Sequence, residues 1–176
     1  MYCELHCHSY YSLLDGASSP EALIDRAAAL GMPCLAITDH DGLYGAVAFW
    51  RACRARTCVA RTARPPSSTQ SSRFQQPATS NVRPIIGAEL TLAHGSHLTL
   101  LAETQAGYAN LSRLISIGQL AGSKGNPRLA IEDVARHAGG LLCLTGCRQG
   151  AVAAAVLDGD AARARRAAGR LADIFG

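Results

Sequence analysis

Four short strand-like runs separated by segments of helical period constrain this chain more than any other feature. They are Met32 to Thr38, which is continuously apolar, Arg83 to Leu92, His97 to Ala102 and Leu141 to Thr145. Runs of this length suit strands buried on both faces of a parallel sheet. Between them the spacing predicts helices. Ser18-Ser19-Pro20-Glu21 offers a Ser cap, a Pro in the first turn and an early acid, and Leu23, Ile24, Ala27, Ala28 and Leu30 follow at helical intervals before Gly31. Further helices are predicted over 43–54, 107–120, 131–138, 151–157 and 160–175, the last with Asp160 as cap. Strands alternating with helices imply a parallel α/β arrangement with polar residues collected at the strand ends, as in a barrel.

Each run carries or adjoins residues that can bind a cation. The first leads into Thr38-Asp39-His40-Asp41-Gly42, the second carries Glu89, the third begins with His97 and the fourth ends in Gly146-Cys147. A fifth extended segment, Glu4-Leu5-His6-Cys7-His8, comes first in the chain. Side chains alternate in extended backbone, so His6 and His8 share a face, at a spacing one cation bridges. The loop after it carries Asp15 beside Gly16. His6, His8, Asp15, His40, Glu89, His97 and Cys147 are too many ligands for one tetrahedral ion. They suit two or three divalent ions (Zn, Mn or Fe), with Glu89 or Cys147 able to bridge. Such clusters favour phosphoester hydrolysis, since they acidify water and clamp phosphoryl oxygens. Asp39 and Asp41 are expected to orient His40 or to cap the next helix. His94 reads as a turn residue and His137 as a cation at a helix C-terminus.

Composition narrows the setting. A chain of 176 residues with 48% hydrophobic and 17% charged residues is the size and make-up of one globular domain. No run approaches the roughly 18 apolar residues of a membrane helix, and no basic-then-apolar leader precedes Glu4, so the expected location is the cytoplasm, with no membrane partner. The seven cysteines lie mostly in apolar runs, which suits reduced, buried thiols. Net charge is +4, yet seven of the seventeen basic residues lie between 51 and 83, where there is no Asp or Glu. The remaining ten face thirteen acids, so basicity belongs to that segment. Within it, residues 57–81 are rich in Arg, Ser and Pro and poor in apolar residues, and are expected to be a disordered insertion.

The motifs His6-Cys7-His8-Ser9, Ser12-Leu13-Leu14-Asp15-Gly16, Thr38-Asp39-His40-Asp41-Gly42, Arg83-Pro84-Ile85-Ile86-Gly87-Ala88-Glu89, His97-Leu98-Thr99-Leu100-Leu101-Ala102, Gly107-Tyr108-Ala109-Asn110-Leu111 and Thr145-Gly146-Cys147 resemble those of the PHP (polymerase and histidinol phosphatase) domain of bacterial C-family DNA polymerases, the DnaE-like alpha subunits of DNA polymerase III and their error-prone relatives. The resemblance covers the chain outside 57–81. It implies a distorted seven-stranded (β/α)7 barrel over 1–176, truncated before its last strands. It also makes the seven residues above metal ligands by position, in a site that in some members is a 3′–5′ exonuclease and in others only supports the polymerase. The family's last two ligands, an Asp and a His, are expected beyond Gly176. On this reading the chain is a fragment of a longer polymerase that cannot itself polymerise, and its partners are DNA, through the parent enzyme, and other replisome subunits. A stand-alone phosphatase of small phosphorylated metabolites and a non-catalytic structural module are the alternatives.

Overall fold

The computed structural model describes residues 2–62 and 81–176, and the side chains of all of these except 57–62. The chain divides into two compact units, Met1–Ile37 with Gly45–Ile85, and Thr38–Tyr44 with Ile86–Gly176.

In the first unit, helix α1 (Pro20–Ala29) begins as its sequence dictates, with the Ser19 hydroxyl accepting from the Ala22 N–H at 3.1 Å. Strand β1 (Cys34–Ile37) and helix α2 (Ala46–Thr62) follow. Ile24, Ala27 and Ala28 of α1 are buried, as are Leu35, Ala36 and Ile37 of β1 and Phe49 and Cys53 of α2. The N-terminal segment meets β1 at a single parallel bridge, Glu4 with Leu35, closed by the Ala36 N–H donating to the Glu4 carbonyl at 2.9 Å. It is therefore a bridge and not the strand expected over residues 4–8. Because Glu4 pairs with Leu35, the residues just before them also face each other: Cys3 and Cys34 are joined by a disulfide across a Cα separation of 5.6 Å. That corrects the expectation that these were reduced, buried thiols, since strand pairing and not sequence distance decides which cysteines meet. Helix α2 also runs eight residues past Arg54, through a segment half Ala and Arg with no Gly or Pro. Of the insertion expected over 57–81, residues 57–62 thus belong to α2 and 63–80 lie outside the described residues.

The second unit holds most of strand β2 (Arg83–Thr91), strand β3 (His97–Ala102), helices α3 (Gln105–Ala121) and α4 (Ile131–Arg136), strand β4 (Leu141–Leu144), and helices α5 (Ala151–Leu157) and α6 (Ala161–Phe175). Strands β2 and β3 pair antiparallel, and so do β3 and β4. The parallel arrangement expected from the sequence does not hold for these three. Only five residues join β2 to β3, with Gly95 at φ +85° in the turn, whereas a parallel crossover needs a dozen or more.

Register sorts the strand residues onto two faces. Glu89 stands opposite Thr99, and Thr91 opposite His97, while Ala88 faces Leu100 and Leu90 faces Leu98. Ala88 and Leu90 of β2 and Leu98 and Leu100 of β3 form the apolar core with Leu92, with Leu111 and Leu114 of α3, and with Leu129, Val134 of α4 and Leu141. Each such leucine contributes about 1.5–3 kcal/mol by leaving water. The odd-numbered face carries Glu89, Thr91, His97 and Thr99. A slip of one residue would exchange the two faces, so core packing fixes where the polar side chains point.

Candidate metal centre

Three sequence-predicted ligands meet on the polar face of the second unit. Glu89 and His40 are held in register by backbone: the Glu89 N–H donates to the Asp39 carbonyl at 3.2 Å, and the Asp41 N–H to the Glu89 carbonyl at 2.9 Å. This parallel bridge sets the His40 side chain beside the carboxylate, Nε2 to Oε2 at 3.7 Å. From the neighbouring strand, His97 Nδ1 lies 3.0 Å from Glu89 Oε1. The two imidazoles stand edge to face with centroids 5.2 Å apart. One ligand atom from each of His40, Glu89 and His97 falls within 4.8 Å of the others. Ligands at roughly 2.0–2.2 Å from one cation lie up to about 4.3 Å apart, so a few tenths of an ångström of closure would complete the coordination.

Cys147 joins this group from the loop after β4. Its Sγ is 3.8 Å from His97 Nδ1 and accepts from the Gln149 N–H at 3.4 Å. The loop is fastened to β3 by the His97 N–H donating to the Gln149 carbonyl at 3.1 Å. It turns at Gly146, whose φ of +83° and nearness to the His97 carbonyl, 3.0 Å from where a Cβ would sit, favour glycine. Burial raises the Cys147 thiol above its ordinary range and the Glu89 carboxylate adds to that, with the Gln149 N–H pulling the other way.

Asp41 holds the turn that carries His40. Its carboxylate accepts from the Thr91 N–H at 2.7 Å and the Thr91 hydroxyl at 2.8 Å, and its carbonyl accepts from the Gln119 amide at 3.1 Å. It thus fastens the His40 turn to the end of β2, in a left-handed conformation (φ 47°) that Asp tolerates better than most residues. Asp39 is buried, at 2% exposure, immediately before His40. His94 is the exposed turn residue expected, bonded to the Ser96 hydroxyl, and His137 caps α4.

The remaining predicted ligands belong to the first unit. His6 and His8 share a focus despite the absence of a strand: their Nε2 atoms are 3.0 Å apart and their ring centroids 5.0 Å. Two tetrahedral ligands about 2.1 Å from one ion would be about 3.4 Å apart, so the pair is set near chelating distance. His8 Nδ1 is 3.2 Å from the Ser12 hydroxyl, a buried partner that fixes the ring and that spacing arguments did not single out. Asp15 is exposed, in a loop folded by its own N–H donating to the Ser12 carbonyl at 3.0 Å.

The donor set fits a divalent cation. Glu89 is 1% exposed, and a carboxylate so buried is costly unless positive charge faces it. Its neighbours are the imidazoles of His40 and His97, with the Cys147 thiol against His97. Directly across from Glu89 stands Thr99, fully buried, whose hydroxyl finds no hydrogen-bond partner among the described residues. Carboxylate and imidazole donors brought this close together, with a thiol beside them, form a set that suits a divalent cation.

The family model for the PHP domain matches residues 4–176. The chain is 42% identical over 186 residues to an error-prone DNA polymerase of Mycobacterium bovis, covering 99% of this chain and 15% of that protein. It is 35% identical over 189 residues to the DNA polymerase III subunit alpha of Treponema pallidum, covering 99% and 14%. The chain therefore spans about 15% of the length of the curated relatives it matches. Among solved structures, a lesion-specific endonuclease from Pyrococcus furiosus aligns with 80% of this chain and 33% of its own, at 18% identity and a TM-score of 0.47.

Proposed function

The chain belongs to the PHP domain family, and from that premise we propose that it is the metal-binding phosphoesterase module of a DNA polymerase III alpha-type protein, hydrolysing DNA phosphodiesters from the 3′ end. The observation that carries this is the buried Glu89 carboxylate flanked by His40 and His97, with the Cys147 thiol against His97. His6, His8 and Asp15 are further proposed ligands. Bound divalent cations would supply Lewis acidity at a phosphoryl oxygen and acidify a water molecule.

The chain's own residues do the positioning. Glu89 is clamped by main-chain bonds on both sides of its Cα, so its carboxylate presents the same oxygens without reorganisation. His97 Nδ1 stands at hydrogen-bonding distance, 3.0 Å, from Glu89 Oε1, so the two side chains orient each other. Cys147 ligates as a thiolate, so a cation held by this side chain would displace the thiol proton. DNA and the other subunits of a replication assembly are the proposed partners, and the cytoplasm the proposed setting; no helix among the described residues is long and apolar enough to cross a membrane.

Elemental analysis of the purified chain and of His97→Ala, paired with release of nucleotides from a 3′-labelled single strand with manganese or zinc, tests the reading. The expected result is bound metal and metal-dependent release, both lost in the variant. A chain that binds no divalent cation, or that releases nucleotides equally well in excess chelator, refutes it.

A further inference from the structure

We propose that the cleft between α6 and the β2–β3 hairpin is a nucleotide-binding site, holding a phosphate on the arginines of α6 and a nucleobase on the apolar floor beneath them. The cleft lies within the second unit and has a volume of 460 Å³. Ligand sites of roughly 300–1,000 Å³ accept molecules of nucleotide size.

Its two walls differ in chemistry. Helix α6 turns Arg163, Arg166, Ala167, Arg170 and Leu171 towards it, the i, i+3, i+4, i+7, i+8 stripe of one helix face. The floor opposite is built from Leu92, Leu98, Ile131 and Ala154. No Asp or Glu is among the described residues lining the cleft. Arg163 and Arg170 each give one terminal nitrogen to a carboxylate, Asp158 and Glu132, which steadies them and leaves their other N–H groups available. Arg166, between them, has no carboxylate partner among the described residues. Three guanidinium groups on one helix face match the fork geometry and charge of a phosphate. Inorganic phosphate alone would leave the leucine and alanine floor wet; a phosphate carried on a flat body with apolar faces uses both walls.

His97 is the only residue shared by this cleft and the His40–Glu89–His97–Cys147 group. A nucleotide here would adjoin the metal centre through one imidazole. The proposal thus deepens the phosphoesterase reading by naming the unit that flanks the scissile bond, and it rests on that reading for its role, though not for binding itself.

Titration calorimetry of adenosine 5′-monophosphate into the full 176-residue chain in EDTA tests it, with adenosine and inorganic phosphate as part-ligands. The nucleotide is expected to bind at least about tenfold more tightly than either part, and more weakly as salt is raised. Arg166→Ala, at an exposed position, should weaken it about tenfold, the worth of one charge-assisted contact. Ala154→Phe should fill the floor and abolish binding, while Arg113→Ala, on α3 outside the cleft, should change nothing. A thymidine hexamer weakened by the same variants would identify a strand as the source, and a hexamer that does not bind would identify the free nucleotide. Equal binding by the unsubstituted chain and Arg166→Ala, or binding seen only after manganese is added, overturns the cleft and leaves the metal centre standing. Nucleotide binding in EDTA by a chain that takes up no metal would do the reverse.

Discussion

Thr99→Val should stabilise the metal-free protein. Thr99 is fully buried and its hydroxyl has no hydrogen-bond partner among the described residues, so the folded chain carries the desolvation cost of a polar group with no bond in return. An unsatisfied buried hydroxyl costs about 1–3 kcal/mol. Valine has the same branching and nearly the same volume, and it is at least as well suited to a strand. A Thr to Val change is ordinarily disruptive because the lost hydroxyl was bonded; here that objection falls away. The expected gain is about 1–2 kcal/mol, a rise in the unfolding midpoint of about 2–8 °C for a chain of this size. Thr99→Ser is the matching control: it keeps the hydroxyl, removes a buried methyl and should cost about 1 kcal/mol. Both are read by thermal unfolding in excess chelator. A valine variant less stable than the unsubstituted chain by 1 kcal/mol or more would show that the hydroxyl is bonded in solution, and the spare hydroxyl could no longer be counted among the reasons to place a cation beside Glu89.

Two further outcomes follow from the same geometry. Asp41→Ala removes two carboxylate hydrogen bonds to Thr91 and puts alanine at φ 47°, so it should cost about 2–4 kcal/mol, raise amide exchange at Thr91 and weaken metal uptake by freeing His40, with Asp41→Asn intermediate. Burial pushes the Cys53 and Cys143 thiols from the usual 9.0 up to about 11. The unfolded chain ionises these thiols near pH 9 and the folded chain only near 11, so their contribution is whole below pH 9 and is lost as pH climbs to 11. Unfolding midpoints from pH 8 to 11 under reductant should fall more steeply for the unsubstituted chain than for Cys53→Ala with Cys143→Ala; parallel curves would refute this.

What the sequence made legible was whatever depends on local period. The start of α1 at Ser19-Pro20, the span of β3 and the Asp160 cap of α6 agree with expectation because capping groups and helical spacing act within a few residues. The grouping of His40, Glu89 and His97 was legible for a related reason: each sits where an apolar run begins, ends or alternates, so the core that buries the even-numbered leucines presents them together. Relations across the chain were not legible. Whether β2 and β3 run parallel, which cysteine faces Cys3, and that Asp41 fastens to Thr91 across fifty residues all depend on partners that no local pattern names. Thr99 shows the limit most clearly. In Leu98-Thr99-Leu100 it reads as an ordinary strand residue, yet it has the same parity as His97 and lies across from Glu89, which puts a hydroxyl where packing alone would favour a methyl. A chain selected only for stability would hold valine there. That it holds threonine, with no hydrogen-bond partner among the described residues and beside a buried carboxylate, argues that the polar face of this sheet is shaped by what it binds.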